Sequence, residues 1–104
     1  MSDNSRCIIP YHKIKEYLLN PEKCHAAEFF NVGYSVRSIE RLKSDIENQY
    51  DYNNAVDFKE GYGGSMKFSI IMILGVKGKK KFRSVWQKDD KDAVPRLITV
   101  YRED

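Results

Sequence analysis

Hydrophobic positions recur with two different periods along this chain: three to four residues apart in the first half, and two apart beyond residue 54. In YHKIKEYLLNP, Ile14, Tyr17 and Leu18 fall at helical spacing. The pattern stops at Asn20-Pro21, because proline disfavours helix in the residue before it. Asn20 is then placed to cap a second helix with Pro21 in its first turn. That helix carries Ala26, Ala27, Phe29 and Phe30, and Gly33 supplies a left-handed stop. A third helix is expected from near Ser35, where Val36, Ile39, Leu42 and Ile46 form one apolar stripe with Arg, Lys and Glu opposite. NQYDYNN ends it.

Strands follow. AVDFKE reads as a short strand and GYGG as a turn. In SMKFSIIMIL, Met66, Phe68, Ile70, Met72 and Leu74 point one way, and Ser65, Lys67 and Ser69 the other. GVKGKKK reads as a hairpin connection into KFRSVWQ, where alternation separates Phe82, Ser84 and Trp86 from Arg83, Val85 and Gln87. KDDKDAVP is a loop. In the last strand, RLITVY, Thr99 is expected to share a face with Leu97 and Tyr101, leaving Ile98 and Val100 for the core. Helices first and strands second, joined by short turns, predict an α+β domain: two or three N-terminal helices packed on one face of a three- to four-stranded antiparallel sheet. Residues 1–104 make one domain with no internal repeat, and residues 1–10 are expected as a flexible or extended N-terminal segment.

Composition narrows the class without naming a function. The 104 residues are 41% hydrophobic and 32% charged, enough for one core under a solvated surface. Eighteen Lys and Arg against fifteen acidic residues leave a net charge of +3, too little to diagnose nucleic-acid binding alone. The basic residues are concentrated, however: Lys77, Lys79, Lys80, Lys81 and Arg83 fall within seven positions. Cys7 and Cys24 have no metal or redox spacing and suit a reducing cytoplasm. No apolar run reaches the roughly 18 residues of a membrane span, and the polar start MSDNSR is no secretory signal. A cytoplasmic protein is expected, or one delivered to a target-cell cytoplasm.

KIKEYLLNPEKCHAAEFFNVGYS, followed by GYGGSMKF, FRSVWQ and VPRLITVY, resembles an uncharacterised bacterial domain family. Its members occur as small standalone proteins and at the ends of polymorphic toxins and phage head proteins. The resemblance runs over about residues 13–101, with the motifs in order. The family is similar in layout to the barnase–EndoU–colicin–RelE group of metal-independent ribonucleases, which implies a toxin-like RNase activity by analogy of fold and context. Two departures bear on a site. The family's Gly-containing loop before the Phe-Phe helix is shortened to EKCH, with Ala26-Ala27 behind His25 where the family has Lys-Ala. Ser84 replaces a threonine and keeps its hydroxyl.

Metal-free RNA cleavage needs a group to take the 2′-OH proton, a group to give one to the 5′-oxygen, and positive or hydrogen-bonding groups around the phosphorane. Histidine suits the proton transfers, with an ordinary pKa of about 6.5. Of the two histidines, His12 reads as a solvated helix residue, and His25, at the front of the second helix, as the catalytic candidate. Lys67, Arg83 and Thr99 interrupt strands otherwise built for burial and complete the candidate catalytic set, arginine being the planar phosphate fork. Lys79, Lys80, Lys81 and Arg96 are candidate RNA-phosphate contacts, although lysines about a glycine turn also serve solubility and edge protection. Trp86 reads as core, with base stacking as the alternative. No zinc, P-loop or dinucleotide spacing is present, so neither metal nor cofactor is expected. The expected partner is RNA. The alternative is a non-catalytic module on the same fold, an antitoxin, immunity-type or phage-encoded inhibitor that binds a protein such as a cognate toxin or antitoxin.

Overall fold

A computed structural model describes residues 6–20, 22 and 26–103, and the change of period is the boundary between its helices and its sheet. Helix α1 (Tyr11–Lys13) runs directly into a π-helical turn, Ile14–Leu18, which buries Ile14 and Leu18. Asn20 closes this segment: its side chain donates to Glu16 O at 3.1 Å and accepts from Glu22 N at 3.0 Å. Pro21 and the helix start expected there lie outside the described residues. Helix α2 is Ala26–Asn31.

Gly33 ends α2 with φ at +99°. Its N–H reaches Phe30 O at 3.0 Å and the next N–H, of Tyr34, reaches Phe29 O at 3.1 Å, the paired bonds of a left-handed helix cap. Val76 N and Lys77 N both donate to Val32 O at 2.8 Å, tying this corner to the hairpin connection beyond it. A Cβ on Gly33 would stand 3.0 Å from Lys77 N, so both conformation and space favour glycine.

Helix α3 (Ile39–Gln49) buries Leu42 and Ile46 completely. It starts later than the apolar spacing suggests, and Val36 is half-exposed rather than part of the stripe. The serines explain this: Ser35 N donates to Ser38 Oγ at 2.9 Å and Arg37 N to Ser35 Oγ at 3.2 Å, so their side chains hold the backbone in a turn.

The sheet is a four-stranded antiparallel meander of β1 (Val56–Glu60), β2 (Met66–Leu74), β3 (Lys80–Lys88) and β4 (Arg96–Arg102), in that order. Its core face carries Phe68, Ile70, Met72, Leu74, Phe82 and Trp86, all at most 1% exposed, in one cluster with the buried helix residues. The fully buried Ser84 lies among them because it serves the tryptophan. Trp86 Nε1 donates to Ser84 Oγ at 2.8 Å, and that hydroxyl donates to Ile70 O at 2.8 Å. Two side chains of α3 and its approach fix the layers: Tyr34 Oη donates to Asp45 at 2.6 Å and accepts from Gly75 N at 3.1 Å, and Gln49 accepts from Ile73 N at 2.7 Å.

Strand β4 departs from the expected alternation. Val85 stands opposite Thr99 and Trp86 opposite Leu97, so Ile98 is an extra residue on β4. This bulge resets the period, and Leu97 and Val100 are the buried pair, not Ile98 and Val100. At the chain's start, Ile8 pairs in parallel with Arg96 and Ile9 is buried, so part of the first ten residues lies against the outer edge of β4. Among the described residues, no helix is long and apolar enough to cross a membrane.

Candidate functional site

Helices cover one face of the sheet, and the chemistry gathers on the other. That open face carries Lys67, Ser69 and Ile71 from β2, Arg83, Val85 and Gln87 from β3, and Thr99 and Tyr101 from β4. A groove of about 540 Å³ runs along it, lined among others by Asp57, Lys59, Lys67, Ser69, Arg83 and Tyr101.

Arg83 is the centre of this groove. Its Nε donates to Glu103 and its Nη1 to Asp57, one contact from each end of the sheet sequence. Glu103 first, and Asp57 second, push its pKa further above the ordinary arginine value, so the guanidinium is permanently charged. The two carboxylates differ in setting: the Asp57 side chain is 61% exposed and that of Glu103 28%. Asp57 also has φ at +56°, the only positive φ among the described residues that is not a glycine's. It sits in a bulge, since β1 uses three steps from Val56 to Lys59 where β2 uses two from Ser69 to Lys67. A regular strand would turn Asp57 away from the face that Val56 shares. The bulge brings it over β2 to Arg83.

Of the residues singled out by sequence, Lys67 and Arg83 line this one groove. They are not neighbours in the ladder: Lys67 stands opposite Gln87, four residues along β3 from Arg83, or about 13 Å at strand rise. Thr99 is on the same face, opposite Val85, but its Oγ1 is enclosed and has no hydrogen-bond partner among the described residues. His25 lies outside the described residues. The lysine run is divided: Lys81, opposite Ile73, continues the open face, Lys80, opposite Leu74, falls on the helix side by alternation, and Lys79 belongs to the hairpin connection. Arg96 stands opposite Gln87 and pairs with Asp89. Trp86 is fully buried with its ring 4.7 Å from that of Tyr50, which removes it from any base-stacking role. Residues 1–104 match the family described as "Domain of unknown function (DUF6883)". The chain belongs to that family. No curated protein and no solved structure matches it.

In this DUF6883 chain, sequence reasoning passed over Asp57, Lys59, Tyr101 and Glu103. Asp57 offered a signal, since aspartate is depleted in strand interiors and stands here between Val56 and Phe58. Glu103 lay beyond the expected end of the last strand, yet its N–H still reaches Lys81 O at 3.0 Å and holds it beside β3. Among the described residues, no three His, Cys, Asp or Glu side chains are grouped to hold a metal ion.

Proposed function

We propose that this protein is a metal-independent endoribonuclease, toxin-like in character and acting on RNA in the cytoplasm, with its site on the open sheet face. The observation that carries the reading is the meeting, in one groove, of three cations (Lys59, Lys67 and Arg83) with the Asp57 carboxylate, the arginine being bonded also by Glu103. A phosphodiester binds with its non-bridging oxygens against Arg83, which stabilises the charge that grows at phosphorus, while Lys67, further along the groove, attracts the adjoining backbone. The Glu103 carboxylate, held by Arg83, takes the 2′-OH proton as the 2′-oxygen attacks. The P–O5′ bond breaks, and the 5′-oxygen takes a proton from Tyr101, which lines the same groove, giving a 2′,3′-cyclic phosphate and a 5′-hydroxyl. Lys81 lies further along the same face and adds salt-sensitive attraction for the backbone.

A second reading has its own support. Val56, Ile71 and Ile73 are 41%, 37% and 44% exposed, and Arg83 is already matched by two carboxylates. That combination suits a protein-binding face, as in an antitoxin or immunity-type module. Incubation with total tRNA and a structured RNA in the presence of chelator separates the two. The nuclease reading expects cleavage that falls by roughly 100-fold or more in Arg83→Ala, the scale of losing one group that stabilises a transition-state charge. RNA left intact by the wild type selects the binding module.

A further inference from the structure

The groove holds an anion of its own. Asp57 is bound to Arg83 through one Nη1 contact, from a backbone bulge with a left-handed φ that L-residues other than asparagine, aspartate and glycine rarely adopt. All of β1 is exposed, and Asp57 itself is 61% exposed. The bulge sets the Phe58 ring 5.8 Å from that of Phe68 and 6.0 Å from that of Tyr52, and it also delivers a carboxylate across β2 to an arginine on β3. Glu103, at 28% exposure, is the more enclosed partner and occupies Nε. The two bonds thus have unequal tenure. An exposed single-contact ion pair adds little stability and exchanges readily with another anion, whereas a phosphoryl group brings paired oxygens suited to the arginine fork.

We propose that Asp57 is a removable occupant of a phosphoryl-binding seat on Arg83, holding the seat in the free protein and leaving it when a phosphate or phosphodiester arrives, while Glu103 stays. The proposal rests on the reading of Arg83 as the phosphate holder of the groove and adds a competitor built into the fold. Asp57 and the incoming phosphoryl group are alternatives for one side of the guanidinium, so removing the carboxylate tightens anion binding. It also places Glu103, not Asp57, beside the substrate in the loaded state.

The test follows the Arg83 Nε–H signal by ¹H–¹⁵N NMR at constant ionic strength. One arm titrates inorganic phosphate, and a second titrates a short 2′-deoxy oligonucleotide, which offers phosphodiesters that this chemistry leaves intact. Asp57→Asn keeps tolerance for the left-handed backbone and removes the charge. It is expected to bind about fivefold tighter than wild type, the scale of one exposed ion pair. Arg83→Lys, which lacks the Nε–H and is followed through the backbone amide signals of β3 against the same signals in wild type, is expected to lose the response in both arms. Tightening in the phosphate arm alone assigns the seat to a free anion, and tightening in both assigns it to a phosphoryl group of either source. Asp57→Gly, which relieves the backbone as well, serves as the second variant and is expected to behave like Asp57→Asn. Equal or weaker binding by both Asp57 variants, or no phosphate response at Arg83 in any of them, overturns the proposal. The outcome is separable from nuclease activity: tightening without RNA cleavage keeps the seat and rejects the nuclease, and Arg83-dependent cleavage without tightening rejects the seat alone.

Discussion

Ser84 and Arg83 are neighbours in sequence with opposite duties. Ser84 is buried, and its hydroxyl accepts from the Trp86 indole while donating to Ile70 O. Replacing it with alanine leaves the indole N–H without a partner in the core, at a cost of about 1–3 kcal/mol. Urea unfolding of Ser84→Ala checks this, and an unchanged midpoint would mean the hydroxyl is dispensable. Arg83 points the other way, onto the open face, where it bonds Asp57 and Glu103. The separation of the two was legible from alternation alone, and so was the assignment of Trp86 to the core. The partners of Arg83 were not, because a contact between residues 57, 83 and 103 depends on strand pairing that no local pattern encodes. At the same scale, burial first and Glu47 second push the Cys7 thiol up to about 11. In a Cys24→Ser background, alkylation of Cys7 at pH 7.5 is therefore expected to run about 100-fold slower than for an ordinary thiol, since the thiolate is the reactive form. Labelling at the rate of a free peptide thiol would contradict that burial.

Among the elements, the strands with strict alternation, β2 and β3, have the faces their sequences imply. Those that break alternation do not. The bulge at Ile98 moves Thr99 relative to Leu97, and the bulge at Asp57 turns a carboxylate onto the open face. Neither has a glycine or proline to mark it, so pairing decides both. Helix α3 shows the same limit at its start, where Ser35 and Ser38 hold a turn that apolar spacing alone extends into helix. Gly33, by contrast, was readable, because a stop after a Phe-Phe helix calls for a residue at ease with positive φ. Gly33→Ala adds a Cβ 3.0 Å from Lys77 N in that conformation, and a destabilisation of roughly 1–3 kcal/mol is expected by thermal or urea melt. A variant as stable as wild type would show that this corner relaxes freely.

For the molecule as a whole, burial raises the pKa of Tyr34 and Tyr50 as well as Cys7, and the Tyr34 phenol also donates to Asp45. The folded chain therefore keeps these protons where the unfolded chain releases them. As pH climbs past the ordinary thiol and phenol values of about 9 to 10, the unfolded state binds fewer protons and stability falls. Melts at pH 7, 9 and 10.5 are expected to show a flat response up to about pH 9 and a decline beyond it. Tyr34→Phe is expected to be weaker at pH 7 and to decline less. The layered α+β plan follows from the change of period in the sequence. The charge arrangement of the open face comes from the assembled sheet. The most direct trial of a nuclease centred on Arg83 is to incubate an RNA oligonucleotide, and the same sequence as DNA, with the protein in excess chelator and to analyse the ends. The account predicts RNA cut to 2′,3′-cyclic phosphate and 5′-hydroxyl ends with the DNA untouched. Intact RNA, or both strands cut, would contradict it.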